Sequence, residues 1–223
     1  MRQATVYIDR QALQYNLNRV KQLAPQAKVV SMVKANGHGI KDCLDALKQT
    51  DAFGVACLQE ALEIRELGFE QPITLIEGVF SRDEMPMVLA HNLELVVHHQ
   101  QQVDWLLAHQ DAYIAKNLKV WVKLNSGMNR LGFKITEIKA IIKQLQALGF
   151  TCVLAMHFAN ADAEHALNDV QIAQFLEIKQ DCAPILASCC NSAAIYKYPE
   201  LHFDYVRPGI MLYGASPFAD RDV

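Results

Sequence analysis

Five short stretches of this sequence concentrate side chains that can do chemistry. Lys34 closes the apolar run Val29–Val33 and is followed by Asn36-Gly37-His38-Gly39. A lysine ending a buried strand is expected to meet a desolvated environment, which lowers its pKa and favours the neutral amine that forms Schiff bases. A solvated strand-end lysine fits the same position, so place alone does not decide between them. Lys123 ends a second run and leads through Asn125-Ser126-Gly127-Met128-Asn129 to Arg130, a residue suited to steering a carboxylate. His157 ends a third run and fits a base, a stacking ring or a satisfied core histidine. Asn191-Ser192 and Arg207-Pro208-Gly209-Ile210 end two more. A serine hydroxyl, backbone N–H groups at a helix start and a glycine that permits close approach can together cradle a phosphate. Asn191 and Ser192 also read as ordinary helix caps.

Groups so far apart in the chain need a frame that gathers strand ends. Eight short apolar runs are strand candidates: Val29–Val33, Ala52–Ala56, Ile73–Ile76, Leu93–Val97, Lys119–Leu124, Cys152–Met156, Ile185–Ser188 and Phe203–Val206. Amphipathic segments precede or separate them, among them Arg10–Leu23, Ile40–Lys48, Leu58–Leu67, Gln100–His109, Ile135–Leu148 and Asp169–Lys179. Near-continuous apolar strands imply burial on both faces. Eight βα units in about 210 residues fit a small (β/α)8 TIM barrel, with chemistry on the C-terminal face. A doubly wound open sheet is the alternative. The expected division is an N-terminal strand in 1–9, centred on Thr5–Ile8, a barrel over 10–218, and a polar linker beginning at 219–223.

Composition narrows the function classes. The 223 residues are 52% hydrophobic and 20% charged, the profile of a folded globular chain. A net charge of −3 without basic runs argues against nucleic-acid binding. No apolar run approaches the roughly 20 residues of a membrane span, and the first ten residues do not read as a secretory signal. A cytoplasmic protein is expected. Cys43, Cys57, Cys152, Cys182, Cys189 and Cys190 form no C-x-x-C pair, which suits reduced core thiols better than disulfides or a metal site.

Read together, the motifs resemble the alanine racemase family. The matching residues are Val33-Lys34-Ala35-Asn36 with Gly37-His38-Gly39, Lys123 through Gly132, Met156-His157-Phe158-Ala159 with Asp162, Asn191-Ser192-Ala193, and Val206 through Ile210 with Tyr213-Gly214. The resemblance implies a barrel that binds pyridoxal 5′-phosphate, with Lys34 holding the cofactor covalently and serving as one of two acid–base groups. It implies Arg207 at the pyridine nitrogen, His157 stacked on the ring, and Asn191, Ser192, Gly209 and Ile210 around the phosphate. It places Arg130 near the cofactor hydroxyl and the substrate carboxylate. Lys123 matches a lysine that some members carry as a carbamate, making it a candidate for that modification. The implied reaction interconverts L- and D-alanine for cell-wall peptidoglycan, in a homodimer.

This sequence departs from the family pattern in three ways. Gly37 follows Asn36 directly where members usually carry two more residues, one a phosphate-binding tyrosine. Asn125 and Ser126 stand where Asp and Thr are commoner. The sequence also stops before the family's C-terminal β domain, which supplies the second catalytic base. Racemisation needs a proton donor on each face of a planar intermediate. The expectation for this chain alone is therefore cofactor binding with poor racemisation. A one-domain barrel that binds pyridoxal phosphate without racemase activity is the second reading. The third is a phosphate-sugar enzyme in which Lys34 attacks its substrate directly.

Overall fold

A computed structural model describes residues 7–37, 41–220 and 222–223. Eight strands alternate with helices: β1 Lys28–Met32, β2 Ala52–Val55, β3 Ile73–Leu75, β4 Leu93–Val97, β5 Lys119–Lys123, β6 Thr151–Ala155, β7 Leu186–Ser188 and β8 Tyr205–Val206. Every pairing is parallel, each strand beside its sequence neighbours from β1 to β7, with β8 returning to β1. At the β7/β8 seam the Asp204 N–H donates to the Ala187 carbonyl and the Arg207 N–H to the Cys190 carbonyl. The sheet is therefore a nearly closed (β/α)8 barrel. Each expected strand is present with its ends moved by at most two residues.

The helices that shield the barrel are α1 Arg10–Leu23, α2 Lys34–Gly37, α3 Leu58–Glu66, α4 Met85–Ala90, α5 Gln100–Leu107, α6 Gln110–Ala115, α7 Ile135–Ala147, α8 Ala166–Asp181 and α9 Ser192–Lys197. Asp9 caps α1 by accepting the Gln11 and Ala12 N–H groups. The expected helix Ile40–Lys48 is a 3-10 turn over Lys41–Leu47, with Ile40 outside the described residues. Of the expected strand Thr5–Ile8, Thr5 and Val6 lie outside the described residues, and Tyr7 to Asp9 carry no regular structure. Among the described residues no helix is long and apolar enough to cross a membrane. Cys152, Cys182, Cys189 and Cys190 are buried free thiols, and Cys57 is a half-buried one.

Two apolar layers divide by strand alternation. Leu93, Leu95 and Val97 of β4 and Val120 and Val122 of β5 face the helices. Val30, Val96, Trp121, Val153 and Tyr205 point inward and fill the barrel. The same period carries Lys119, Trp121 and Lys123 to the inside, one lysine at each end of β5.

At the N-terminal end that inward cation is neutralised. Lys119 Nζ lies 2.7 Å from Glu94, and the same buried carboxylate accepts Trp121 Nε1–H at 2.9 Å. Replacing Glu94 by alanine strands a partly buried ammonium and an indole N–H, and is expected to cost about 2 kcal/mol in urea unfolding. Glu94→Gln, which keeps an acceptor for the indole, should lose less.

Candidate active site

The C-terminal end of the barrel opens into a cavity of about 370 Å3. Its lining includes Lys34 beyond β1, Lys123 at the end of β5, Arg130 in the following loop and His157 beyond β6. Asn191 and Ser192 reach it from β7, and Arg207, Gly209 and Ile210 from β8. Residues from five strand ends, up to 176 positions apart, thus face one space.

Local sequence explains how each is held. The Asn125 carboxamide oxygen accepts the Gly127 and Asn129 N–H groups, folding the β5 loop back toward the rim with Arg130 on it. That carbonyl does what an aspartate oxygen would do there, so the Asp-to-Asn departure leaves the turn intact. Gly132 sits at φ 130°, and a Cβ there would lie 2.6 Å from the Asn125 nitrogen, which only glycine tolerates. Asn191 caps α9 by accepting the Ala194 N–H at 3.0 Å. Ser192 Oγ accepts the Gly209 N–H at 3.0 Å and the Met211 N–H at 3.4 Å, joining the β7 and β8 loops. At Gly209 an added Cβ would meet only Met32 Cβ, at 3.8 Å, so the protein leaves this corner open toward the cavity.

The electrostatics are one-sided. Among the described residues, Lys34, Lys123, Arg130 and Arg207 face the cavity against a single lining carboxylate, Asp162. Arg207 is buried, and its guanidinium donates to Ser188 Oγ and to the carbonyls of Met156 and Cys189, all neutral. Burial lowers its pKa below the usual arginine range, and a guanidinium in a protein still keeps its proton. Lys123 is pushed down to about 8, by burial first and then by Arg207 and Arg130, with Glu77 partly opposing and Lys34 adding to the effect. Lys119, on the same inward face but beside Glu94, has its pKa raised despite burial. The carboxylate makes the difference; among the described residues none pairs with Lys123. His157 is held down to about 3 by burial and then by Arg207, Lys123, Arg130 and Lys34, so it is a neutral ring at physiological pH.

Of the two readings left open for Lys34, the solvated one holds. Lys34 is exposed in this chain, because β1 stops at Met32 and Lys34 opens α2 beyond the barrel rim. The desolvated lysine is Lys123, two strand positions above Trp121 on the inward face. His38 and Gly39 of the glycine-rich motif lie outside the described residues. Sequence reasoning also missed Glu60, whose carboxylate accepts the Ala35 N–H at 2.6 Å and the Ala56 N–H at 2.7 Å, tying the segment after Lys34 to the end of β2. Ala35 sits at φ 56°, a strained value for alanine, immediately after that lysine. Nothing in the residues around Glu60 signals this, since on α3 it reads as a solvent-facing helix carboxylate.

Known proteins share this arrangement. The family model for the alanine racemase N-terminal domain matches residues 8–217. An alanine racemase from Psychrobacter sp. (strain PRwf-1) is 46% identical over 226 residues, covering 97% of this chain and 60% of that protein. The solved structure of alanine racemase from Acinetobacter baumannii superposes with a TM-score of 0.97 at 75% identity, covering 99% of this chain and 66% of that one. The alanine racemase from Bartonella henselae with covalently bound pyridoxal phosphate has a TM-score of 0.85 at 26% identity, over 97% of this chain and 62% of that one. The chain thus spans about 60% of the length of the first of these relatives. Sequence motifs, barrel and cavity agree that this chain belongs to the alanine racemase family, matching its N-terminal domain.

Proposed function

We propose that residues 10–218 form the cofactor-binding barrel of a pyridoxal 5′-phosphate-dependent alanine racemase, with 1–9 as a leading segment and 219–223 beginning a linker to a second domain. The observation that carries this reading is the convergence of an amine, a buried uncompensated guanidinium and an open serine–glycine corner on one cationic cavity. Four cations against one carboxylate favour a ligand with several negative charges, and a phosphate together with a substrate carboxylate supplies them. The Gly209 and Met211 N–H groups, now taken up by Ser192 Oγ, are placed to turn to phosphate oxygens, with Asn191 and Ile210 beside them. The cofactor, when bound, withdraws electrons from the substrate's α-carbon and acidifies its hydrogen.

The chain's own groups have separate tasks in this scheme. Lys34 Nζ holds the cofactor and, once released, moves the proton on one face of the substrate. Arg207 presents a fixed positive charge that keeps a facing pyridine nitrogen unprotonated. Neutral His157 offers a flat ring for stacking without adding a fifth charge to the four cations. Arg130 orients the substrate carboxylate. Lys123, with a pKa of about 8, keeps some neutral amine at neutral pH, the form that adds to carbon dioxide with loss of a proton. The resulting carbamate would set an anion beside Arg130. The wider reading is a cytoplasmic homodimer that supplies D-alanine for peptidoglycan, with the second base outside this chain.

With pyridoxal phosphate and L-alanine in deuterium oxide, this chain is expected to exchange the α-hydrogen at least tenfold faster than it forms D-alanine. One acid–base group on one face returns the proton to the face it left. Absence of exchange contradicts a working Lys34 site. D-alanine formed as fast as deuterium enters contradicts the need for a second base outside the chain.

A further inference from the structure

Helix α8 buries two amide side chains, Asn168 and Gln171, one helical turn apart on its inner face with Phe175 and Ile178. Burying an amide is costly unless its groups are paired. Gln171 is fully buried and uses all of them: Oε1 accepts the Ala159 N–H at 3.0 Å, while Nε2 donates to the His157 carbonyl at 3.1 Å and to Ser126 Oγ at 3.0 Å. Ser126 Oγ in turn donates to the Met156 sulfur at 3.3 Å. One side chain therefore joins the loop that carries His157 to the loop that carries Arg130. The two backbone groups it grips flank Phe158, whose ring is buried and stacked on Tyr198 at 5.4 Å. Phe158 points into the core with the chain pinned on both sides of it, and the preceding side chain lines the cavity.

We propose that Gln171 is a positioning residue that aims the His157 ring into the cavity and couples it to the Arg130 loop. Its partner in this is Ser126. The inference rests on the proposed function only where the cofactor is concerned, because the bracket belongs to the protein itself. A ring held in the cavity faces Arg207 from β8, Lys123 from β5, Arg130 from the β5 loop and Lys34 from the end of β1, with Asp162 from its own loop. A ring that swings out escapes those cations, so the titration of His157 reports where the ring is.

The test is histidine-labelled NMR of the full chain without cofactor, assigned with His157→Gln. In the parent the His157 ring should stay neutral down to about pH 4. Gln171→Leu should raise its pKa by at least one unit, a tenfold change in proton affinity, and Ser126→Ala, which removes one of the three bonds, by less in the same direction. Asn168→Leu, which frees the same loop farther on, should leave it unchanged. A folded Gln171→Leu with the parent titration overturns the proposal; if that variant does not fold, an unchanged titration in Ser126→Ala overturns it. Pyridoxal phosphate affinity, expected to fall about tenfold in Gln171→Leu, is read separately. A shifted titration in a chain that binds no cofactor would keep the positioning role and reject the proposed function.

Discussion

Lys123→Met is expected to stabilise this chain by about 3 kcal/mol at pH 7 in buffer depleted of carbon dioxide. Lys123 has a folded-state pKa of about 8 against an ordinary 10.5, a gap that corresponds to about 3 kcal/mol of unfavourable charge burial. Methionine has similar length, keeps an apolar stem on the inward face that Trp121 shares, and carries no charge. Below pH 8 both the folded and unfolded chains hold the proton, and the full cost is present. Between pH 8 and 10.5 the unfolded chain holds more protons, so the stability of the parent rises with pH. The advantage of the variant should therefore shrink by pH 10. Urea unfolding at the two pH values measures it. A destabilised variant, or a gap that does not change with pH, would show that Lys123 is not an uncompensated cation. Bicarbonate should close part of the gap in the parent by converting the amine to a carbamate, and should leave the variant unaffected. The cavity thus gives up stability to keep an amine that the proposed carbamate needs.

Arg207→Leu is the second large change, because Arg207 is the strongest charge acting on both Lys123 and His157. Removing it is expected to raise the pKa of Lys123 from about 8 by roughly one unit, with His157 moving in the same direction. Burial, the larger cause in both cases, remains, so neither group returns to its ordinary value. The substitution also leaves the Met156 and Cys189 carbonyls without their charged donor, while Ser188 Oγ still donates to the Tyr205 carbonyl at 2.8 Å. Arg207→Lys keeps a charge but cannot span three oxygens, and should preserve the low pKa of Lys123 while loosening the β7/β8 seam. NMR titration of the two groups in both variants separates charge from geometry. Unchanged titrations in Arg207→Leu would contradict the coupling.

The barrel was legible because its strands are short apolar runs of even spacing and its helices carry apolar stripes. Arg10–Leu23 matches α1 end to end. The short helices α2, α4, α6 and α9, of four to six residues, hold too few turns to show a period. Helix α8 begins three residues before the expected Asp169, since Asn168 is a polar residue on the buried stripe and reads as solvent-facing. The site was legible as motifs at strand ends, and all of its candidate residues line one cavity. Its electrostatics were not. Whether Lys34 or Lys123 is the desolvated lysine depends on where β1 stops and on Arg207, 84 positions beyond Lys123, and no local window contains either fact.

Covalent attachment of pyridoxal phosphate to Lys34 underlies the proposed function. It is tested most directly by adding the cofactor to the purified chain, recording the visible spectrum, reducing with borohydride and mapping the labelled peptide by mass. A single label on Lys34, lost in Lys34→Ala, is the expected result. No visible band, or label scattered over surface lysines such as Lys21 and Lys139, would contradict it.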